Sequence, residues 1–317
     1  MQICLLLLAI CFSTSVIARP IWEPDNNYAL ANSLRYATVR IECQSTNSAG
    51  VGTGVFFAFA ETNGLVVPAI VTCKHVVRQA QTGKLVFTVQ SMTNDDVEER
   101  VTLLISNFSE LWQLHPSNDV DLAAMPLAPL IMDLKKREKK IKMMAITPDM
   151  CPSSQKNVDQ GPLMPVTMVG YPIGLSDLYN NLPLVRRGIT ASTPANNFNG
   201  KREFVIDAAC FPGSSGSPVF LYEEGFYRER EHAYLGTKLV FLGVLWGGPQ
   251  YNSADGTYAI TAIPTNMDPN RSTMIPINLG YVTRYDVVME LDQLFRTGRP
   301  ENFVTKEGMA FYYDGRK

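Results

Sequence analysis

The sequence contains few histidines, few cysteines and no excess of one charge. Its 317 residues include three His and six Cys, and 28 Lys and Arg stand against 30 Asp and Glu, a formal net charge of −2. This balance provides no electrostatic footprint for nucleic acid or for an anionic membrane surface. The chain also contains no internal repeat at solenoid spacing, which argues against the regular repeat folds.

Long hydrophobic runs are absent beyond the N-terminus. Residues 1–12 (MQICLLLLAICF) form an apolar run that is too short to span a bilayer comfortably. Val16 and Ala18 are the small residues that signal peptidase requires, so residues 1–18 are predicted to be a signal peptide of a secreted or periplasmic protein. A buried N-terminal helix or a membrane anchor is the alternative. We expect no membrane association after cleavage, because no second long apolar run follows.

The cysteines beyond this segment do not form a recognisable metal or redox motif. They are Cys43, Cys73, Cys151 and Cys210. An even number is compatible with two disulfides in an exported protein. Their spacing matches neither a zinc site nor a CxxC pair. We therefore predict that no metal and no cofactor is needed, and the pairing of the cysteines stays open.

Strand signals recur along most of the chain. Short runs rich in β-branched and aromatic residues are bounded by Gly, Pro, Asn and Asp, as is typical of β-strands. These runs lie at residues 37–42, 54–58, 65–72, 84–90, 101–105, 166–170, 203–208, 218–222, 238–246 and 258–263. Because no long helices lie between them, the pattern predicts an all-β barrel or sandwich.

Two segments depart from the strand pattern. Residues 130–144 (LIMDLKKREKKIKMM) are strongly charged with apolar residues at helical spacing, which predicts a solvated surface helix in a long insertion at about 126–160. A nucleic-acid or membrane patch is the sharper alternative for this segment. Residues 285–296 place their apolar residues on one helical face and predict a C-terminal helix packed on the body.

Residues 212–218 (PGSSGSP) lie between two strand-like runs and contain a candidate nucleophile, Ser215. A nucleophilic serine needs an exposed hydroxyl on a tight turn and backbone N–H groups free to bind a developing oxyanion. Flanking glycines permit that turn because they tolerate positive φ and leave room for substrate. A flexible Gly/Ser loop is the simpler interpretation of this motif.

The candidate general base is His75, at the end of the apolar strand in residues 71–77 (VTCKHVV). The other two histidines, His115 and His232, lie in polar loops and are expected at the surface. The simpler interpretation of His75 is a half-buried histidine that is hydrogen-bonded to backbone.

The candidate partner of the base is Asp121, in the run NDVDLA. A carboxylate at a strand edge can accept the imidazole Nδ1–H and stabilise the imidazolium. Asp119 is the competitor, with the profile of a turn or cap residue. His75, Asp121 and Ser215 follow one another in the order of chymotrypsin rather than of subtilisin or the α/β-hydrolases, and at nearly the separations of the chymotrypsin template.

Several motifs resemble those of trypsin-like peptidases of bacterial type. Residues 72–77 (TCKHVV), 169–172 (VGYP) and 213–220 (GSSGSPVF) resemble the glutamyl endopeptidases. Residues 187–191 (RGITA) and 207–209 (DAA) are similar, more distantly, to the Do-type (high-temperature-requirement) proteases. The resemblance implies a chymotrypsin-like fold of two antiparallel six-stranded β-barrels, with the triad in the cleft between them.

The resemblance also implies an oxyanion hole made by the backbone N–H groups of Gly213 and Ser215. Ser214 stands where the pancreatic-type enzymes have an aspartate that pairs with a new N-terminal amine, so activation by that ion pair is not expected. The implied divisions are a signal peptide at 1–18 and a peptidase domain at 19–317, with barrel one at about 30–130 and barrel two at about 161–284.

The primary specificity pocket implied by the resemblance has no charged residue. Leu245 replaces the histidine with which glutamyl endopeptidases recognise a substrate carboxylate, and Ala209 replaces the pocket-floor aspartate of trypsin. With Cys210, Trp246 and Gly247 as the remaining lining, the pocket is predicted to be uncharged and to prefer apolar or small residues. The predicted function is a secreted serine endopeptidase acting on proteins or peptides. A catalytically silent binding module and an esterase are the alternatives.

Overall fold

The computed structural model describes residues 30–46, 48–62, 65–152, 161–229, 232–265, 274–297 and 309–314. The predicted signal peptide at 1–18 lies outside these residues. The described residues form mostly strands, in two antiparallel sheets, which confirms the all-β, chymotrypsin-like class. Within the same residues, no helix combines the length and the apolar character that a membrane crossing requires.

The first sheet contains nine strands among the described residues. They are β1 (Thr38–Gln44), β2 (Ala49–Thr62), β3 (Leu65–Thr72), β4 (Thr82–Ser91), β5 (Glu98–Ser106), β6 (Gln113–Leu114), β7 (Ala123–Pro126), β8 (Lys139–Ile141) and β17 (Met309–Asp314). Their order is β17-β5-β4-β1-β2-β3-β7-β6, and β8 pairs with β4. The sheet exceeds the six strands expected, because the insertion adds β8, the C-terminal part of the chain returns as β17, and β6 is a further strand of two residues.

The second sheet contains eight described strands. They are β9 (Pro165–Gly170), β10 (Leu184–Thr190), β11 (Glu203–Asp207), β12 (Pro218–Glu229), β13 (His232–Asn252), β14 (Tyr258–Ala262), β15 (Met274–Pro276) and β16 (Leu279–Arg284). Six of them pair in a ring, β12-β9-β10-β11-β16-β13, because β13 also pairs with β12. β14 and β15 lie outside this ring and pair with the last part of β13.

The buried apolar side chains form two clusters, of which the first also takes side chains from the second sheet, such as Phe220 and Phe241. Phe57, Phe59 and Phe87 are in the first cluster, and Phe204 and Leu242 are in the second. Alternating burial along β4 and β5 is the period-2 pattern expected of strands with one face on a core. The candidate site joins the two sheets, because its residues follow β3 and precede β7 of the first sheet and β12 of the second.

The five described helices are short. They are α1 (Leu30–Leu34), α2 (Lys74–Val77), α3 (Ala128–Lys136), α4 (Tyr285–Met289) and α5 (Asp292–Thr297). The predicted C-terminal helix is therefore present, in two pieces. It packs on the cluster of the first sheet, where the rings of Phe295 and Phe59 stack at 5.2 Å.

The prediction of one solvated helix over residues 130–144 is wrong in its second half. The helix ends at Lys136, and Ile141 then pairs with Val89 in the first sheet. Met144 and Ile146 are buried in the first cluster, so packing overrides helix propensity here. Residues 153–160 of the predicted insertion lie outside the described residues.

Candidate active site

The structure brings together the three residues predicted as a triad. His75 lies in α2, immediately after β3, while Asp121 precedes β7 and Ser215 precedes β12. His75 Nδ1 lies 2.5 Å from Asp121 Oδ2, and His75 Nε2 lies 2.8 Å from Ser215 Oγ. The backbone N–H of His75 also donates to Asp121 Oδ1 at 3.0 Å. Two bonds from one carboxylate therefore hold the ring in a single orientation towards Ser215.

Two glycines shape the loop that holds Ser215. Gly213 has φ +85° and Gly216 has φ +88°, a region that residues with a Cβ rarely occupy. A Cβ on Gly216 would overlap Thr53 O, and a Cβ on Gly213 would lie 2.5 Å from Tyr171 O. Both positions therefore need glycine for close approach as well as for φ.

Thr53 of β2 hydrogen-bonds the loop of Ser215 to the first sheet. This residue was not identified from the sequence. Its backbone N–H donates to Ser215 O at 2.8 Å, and its hydroxyl donates to Gly213 O at 3.1 Å. The same hydroxyl oxygen accepts from the Tyr171 N–H at 3.1 Å. The only sequence signal is a lone polar residue within the glycine-rich run GVGTGV.

Arg186 of β10 is a second residue that the sequence interpretation missed. Its Nη2 donates to Ser214 Oγ at 2.8 Å, and its Nη1 donates to Ala209 O. Burial lowers the pKa of the guanidinium, and its Nε is buried without a hydrogen-bond partner among the described residues. A half-buried cation thus lies beside Ser214, the position where the sequence lacks an acidic residue.

The predicted pocket residues lie in two groups. Cys210 and Leu245 are buried in the second apolar cluster, and a Cβ built on Gly280 would lie 2.7 Å from Cys210 Sγ and 2.6 Å from Leu245 Cδ1. Ala209 contributes the carbonyl that accepts from Arg186. Cys210 and Leu245 therefore pack in an apolar cluster, although Arg186 and Asp207 lie close enough to Cys210 to act on its thiol electrostatically.

Trp246 and Gly247 form the second group, on β13. The Trp246 indole N–H donates to Glu203 Oε2 at 3.1 Å, and burial raises the pKa of Glu203. Gly247 lies opposite Ala262 of β14, and a Cβ on Gly247 would lie 2.8 Å from Thr261 O. Gly247 therefore packs against a neighbouring strand, whereas Trp246 lines an open cavity together with Asp121 and Glu203.

The predicted oxyanion hole points at the protein's own backbone. The Gly213 N–H donates to Pro264 O at 3.1 Å. The carbonyl before it, Ile263 O, lies 3.1 Å from Ser215 Oγ and 3.1 Å from His75 Nε2. Sequence patterns gave no signal for either residue, because the contacts are made by backbone carbonyls.

Cys73 lies beside the triad and raises the question of a metal. Its Sγ and the ligating atoms of His75 and Asp121 lie within 4.8 Å of one another. Burial raises the pKa of the Cys73 thiol well above its usual value, and the thiolate, not the thiol, is the metal ligand. The cluster is therefore better suited to proton transfer. No disulfide joins the four cysteines of the described region.

The prediction that His115 lies at the surface is wrong. It is 3% exposed, and its Nε2 lies 3.1 Å from Glu290 Oε2. Burial lowers the pKa of His115. Its polar loop packs under the C-terminal helix segment, a contact across 175 residues that local sequence cannot reveal. His232 is exposed, as expected.

The chain is similar to known proteins in fold and in one family pattern. No curated protein matches the sequence. Among solved structures, the HtrA-type protease AlgW with a tripeptide matches at 15% identity and TM-score 0.43, with 85% of this chain and 64% of that chain covered. The serine endoprotease from Yersinia pestis matches at 16% and 0.41, with 85% and 66% covered. Rv3671c from M. tuberculosis, in an inactive form, matches at 13% and 0.40, with 89% and 100% covered.

This chain thus spans less than two thirds of the length of the HtrA-type protease that it matches. The model of one family, described as the trypsin-like peptidase domain, matches residues 52–226. That match covers more than half of the chain and confirms the predicted family, while the resemblance to glutamyl endopeptidases stays a prediction. The chain belongs to the trypsin-like peptidase family.

Proposed function

We propose that the chain is a serine endopeptidase that uses Ser215 as nucleophile, His75 as general base and Asp121 as the residue that orients the base. The observation that supports this most directly is the hydrogen-bonded line from Asp121 through His75 to Ser215. The Asp121 carboxylate accepts the Nδ1–H, so Nε2 carries the lone pair that takes the serine proton. No cofactor is needed for this chemistry.

The reaction is acyl transfer in two steps. Ser215 Oγ attacks a peptide carbonyl while His75 Nε2 takes its proton, and the carbonyl oxygen becomes an oxyanion beside the N–H groups of Gly213 and Ser215. His75 then protonates the leaving amine as the C–N bond breaks. Water adds to the acyl-enzyme with His75 again as base, which releases the acid and regenerates Ser215.

We also propose an uncharged primary pocket in which Cys210 and Leu245 form the floor. Both are buried in the apolar cluster of the second sheet. Export of the chain, with residues 1–18 as its signal peptide and 19–317 as its peptidase domain, is part of the same proposal. It is motivated by the apolar run and the small residues at positions 16 and 18.

Active-site labelling tests the proposal. A biotinylated fluorophosphonate should modify the chain once, on Ser215, as identified by mass spectrometry of the tryptic peptides. The Ser215→Ala variant should take no label and keep the thermal unfolding midpoint of the parent. Modification of another serine would contradict the assignment. Labelling accompanied by ester hydrolysis but no peptide hydrolysis would favour the esterase, and a folded chain without labelling in any background would favour the binding module.

Arg186→Met should lower kcat about tenfold, a loss of about 1.4 kcal/mol in transition-state stabilisation. The guanidinium fixes both Ser214 and Ala209, and without it the loop that holds Ser215 loses two of its hydrogen bonds. KM should change little, because Arg186 touches the loop and not the substrate. Stability should change little as well, since the lost bonds are offset by removal of a half-buried cation whose Nε has no partner.

A double-mutant cycle with Ser214→Ala checks this role. If Arg186 acts through Ser214, the double variant should have nearly the kcat of Arg186→Met alone, because neighbours in one network are not additive. Strictly additive losses, or an unchanged kcat in Arg186→Met, would show that Arg186 does not position the loop.

A further inference from the structure

Residues 258–265, which we call the cleft segment, run across the front of the triad. The first part is β14, which pairs antiparallel with β13 so that Ala262 lies opposite Gly247. The Ile263 N–H then donates to Trp246 O at 3.2 Å and continues the ladder. Extended peptides bind many domains by adding a strand to a sheet edge in this way, with main-chain bonds for affinity and pockets for specificity.

The far end of the cleft segment reaches the first sheet. Thr265 O accepts from the N–H of Val51 in β2 at 2.8 Å, and Pro264 O accepts from the Gly213 N–H at 3.1 Å. The segment therefore enters from the second sheet, passes the nucleophile loop and ends on the first sheet. A bound peptide would have to follow the same path to place a carbonyl beside Ser215.

The backbone of Ile263 engages the reacting atoms themselves. Its carbonyl oxygen lies 3.1 Å from Ser215 Oγ and 3.1 Å from His75 Nε2. The hydroxyl of Ser215 has one proton, which it can donate either to Ile263 O or to His75 Nε2. While Ile263 O accepts that proton, the general base cannot take it, so the contact competes with the first step of catalysis.

The side chain of Ile263 is buried in the apolar cluster that holds two of the predicted pocket residues. It is 4% exposed and belongs to the same buried apolar cluster as Cys210 and Leu245. The side chains of this cluster are apolar, which suits a branched aliphatic side chain. Ile263 thus combines a backbone bond to β13, a carbonyl at Ser215 and a side chain in the apolar cluster of Cys210 and Leu245.

The geometry also disfavours cleavage of the segment by Ser215. The carbonyl beside Ser215 Oγ belongs to Ile263, whereas the oxyanion-hole donor, the Gly213 N–H, is bonded to the next carbonyl, Pro264 O. Attack on Ile263 would therefore develop charge away from that donor, and an unstabilised oxyanion is the costly part of acyl transfer. In a productive substrate the same carbonyl would lie beside Ser215 Oγ and the Gly213 N–H, whereas in this segment two consecutive carbonyls occupy these positions.

The outer face of the cleft segment is poorly covered. Tyr258 is 74% exposed and Ile260 is 44% exposed. A strand with few buried contacts opens at a small fraction of the global unfolding free energy. Displacement of β14 therefore does not require the rest of the second sheet to unfold.

We propose that the cleft segment is an intramolecular inhibitor that occupies the substrate path, and that the peptides that replace it carry a branched aliphatic residue, like Ile263, in the pocket. The claim that the active site is latent rests on the proposed peptidase function. The claim that the segment occupies the path of a bound peptide does not depend on catalysis. An extended peptide with Ile or Val at the pocket position is the predicted occupant.

Labelling kinetics test the latency. Ile263→Ser empties the pocket, and Thr261→Pro removes the N–H of the residue opposite Gly248. Each should raise the rate of fluorophosphonate labelling of Ser215 about tenfold or more, because apparent reactivity scales with the open fraction. Ile275→Ser, on exposed β15, is the matched control and should label at the parental rate. Equal labelling rates in the parent and the three variants would overturn the proposal, provided that thermal unfolding curves show all four proteins to be folded.

Peptide binding separates this inference from the peptidase proposal. In a Ser215→Ala background, a fluorescent peptide with the sequence of residues 258–265 (YAITAIPT) should bind the Thr261→Pro protein but not the chain with an intact segment. A peptide with Asp at the Ile263 position should bind neither. Equal binding to open and intact proteins would overturn the inference. Selective binding without labelling in any variant would leave the inhibitor standing and refute the peptidase.

Discussion

Asp121→Asn should lower kcat about ten-thousand-fold and leave the protein folded, the size of loss that the same replacement causes in the Ser-His-Asp template. Asp121 Oδ2 accepts from His75 Nδ1 at 2.5 Å, and Oδ1 accepts from the His75 backbone N–H at 3.0 Å. An asparagine keeps one oxygen for the backbone bond and turns its NH2 group towards the ring. The ring must then accept at Nδ1 and carry its proton on Nε2, where it cannot take the proton of Ser215.

The measurement is kcat on a fluorogenic peptide, in the parent chain and in the Ile263→Ser background where the cleft is expected to be open. Asp119→Asn is the matched control, because Asp119 lies two residues away in an exposed turn. The backbone N–H of Asp119 donates to Ser117 Oγ. This variant should change kcat by less than about twofold, since exposed surface substitutions are usually within 0.5 kcal/mol. A loss below tenfold in Asp121→Asn would contradict the role of Asp121 as the residue that orients His75.

The three residues of the candidate triad could be predicted for two reasons. Each lies in a recognisable local pattern, and the three follow one another in the order of chymotrypsin. His75 follows an apolar strand, Asp121 precedes another, and Ser215 lies between glycines that the observed turn requires. Short motifs with strict backbone demands are readable in sequence. The two-sheet fold was readable for the same reason, since most strand runs alternate or end in turn residues.

The features that surround the triad could not be predicted, because long-range contacts create them. Ile263 and Pro264 act through backbone carbonyls, which every residue possesses. Thr53 and Arg186 act through polar groups buried at the loop of Ser215, and nothing in their neighbouring residues marks that burial. Residue type alone therefore indicates the three candidate catalytic residues, but not the residues that hydrogen-bond their loop or the segment that we propose as an inhibitor.

The two wrong predictions have the same origin. The charged stretch after residue 136 has helical spacing, yet β4 offers an edge to which Ile141 pairs. His115 lies in a polar loop, yet the C-terminal helices cover it and Glu290 binds its ring. In both cases tertiary packing, which reaches across the chain, outweighs a local propensity that is worth less than about 1 kcal/mol per residue.

Gly213→Ala should cost both stability and catalysis. At φ +85° an L-residue pays about 1–2 kcal/mol of backbone strain. The new Cβ would also lie 2.5 Å from Tyr171 O and 3.1 Å from Ile173 N, and both are backbone atoms that cannot rotate away. The loop must therefore shift, and its N–H leaves the position where it now binds Pro264 O. Loss of one oxyanion donor lowers kcat by about 10²–10³-fold.

Gly225→Ala is the control that carries the backbone strain of a positive φ without a steric clash and without the loss of an oxyanion donor. Gly225 has φ +90°, but nothing lies within 4 Å of the Cβ position. This control should lose only the backbone strain of about 1–2 kcal/mol in urea unfolding and keep its labelling rate and kcat. Gly213→Ala should be less stable than the control and also slow, in the parent and in the Ile263→Ser background alike. If the two alanine variants had equal kcat, Gly213 would serve only the turn, and the oxyanion would need a donor other than its N–H.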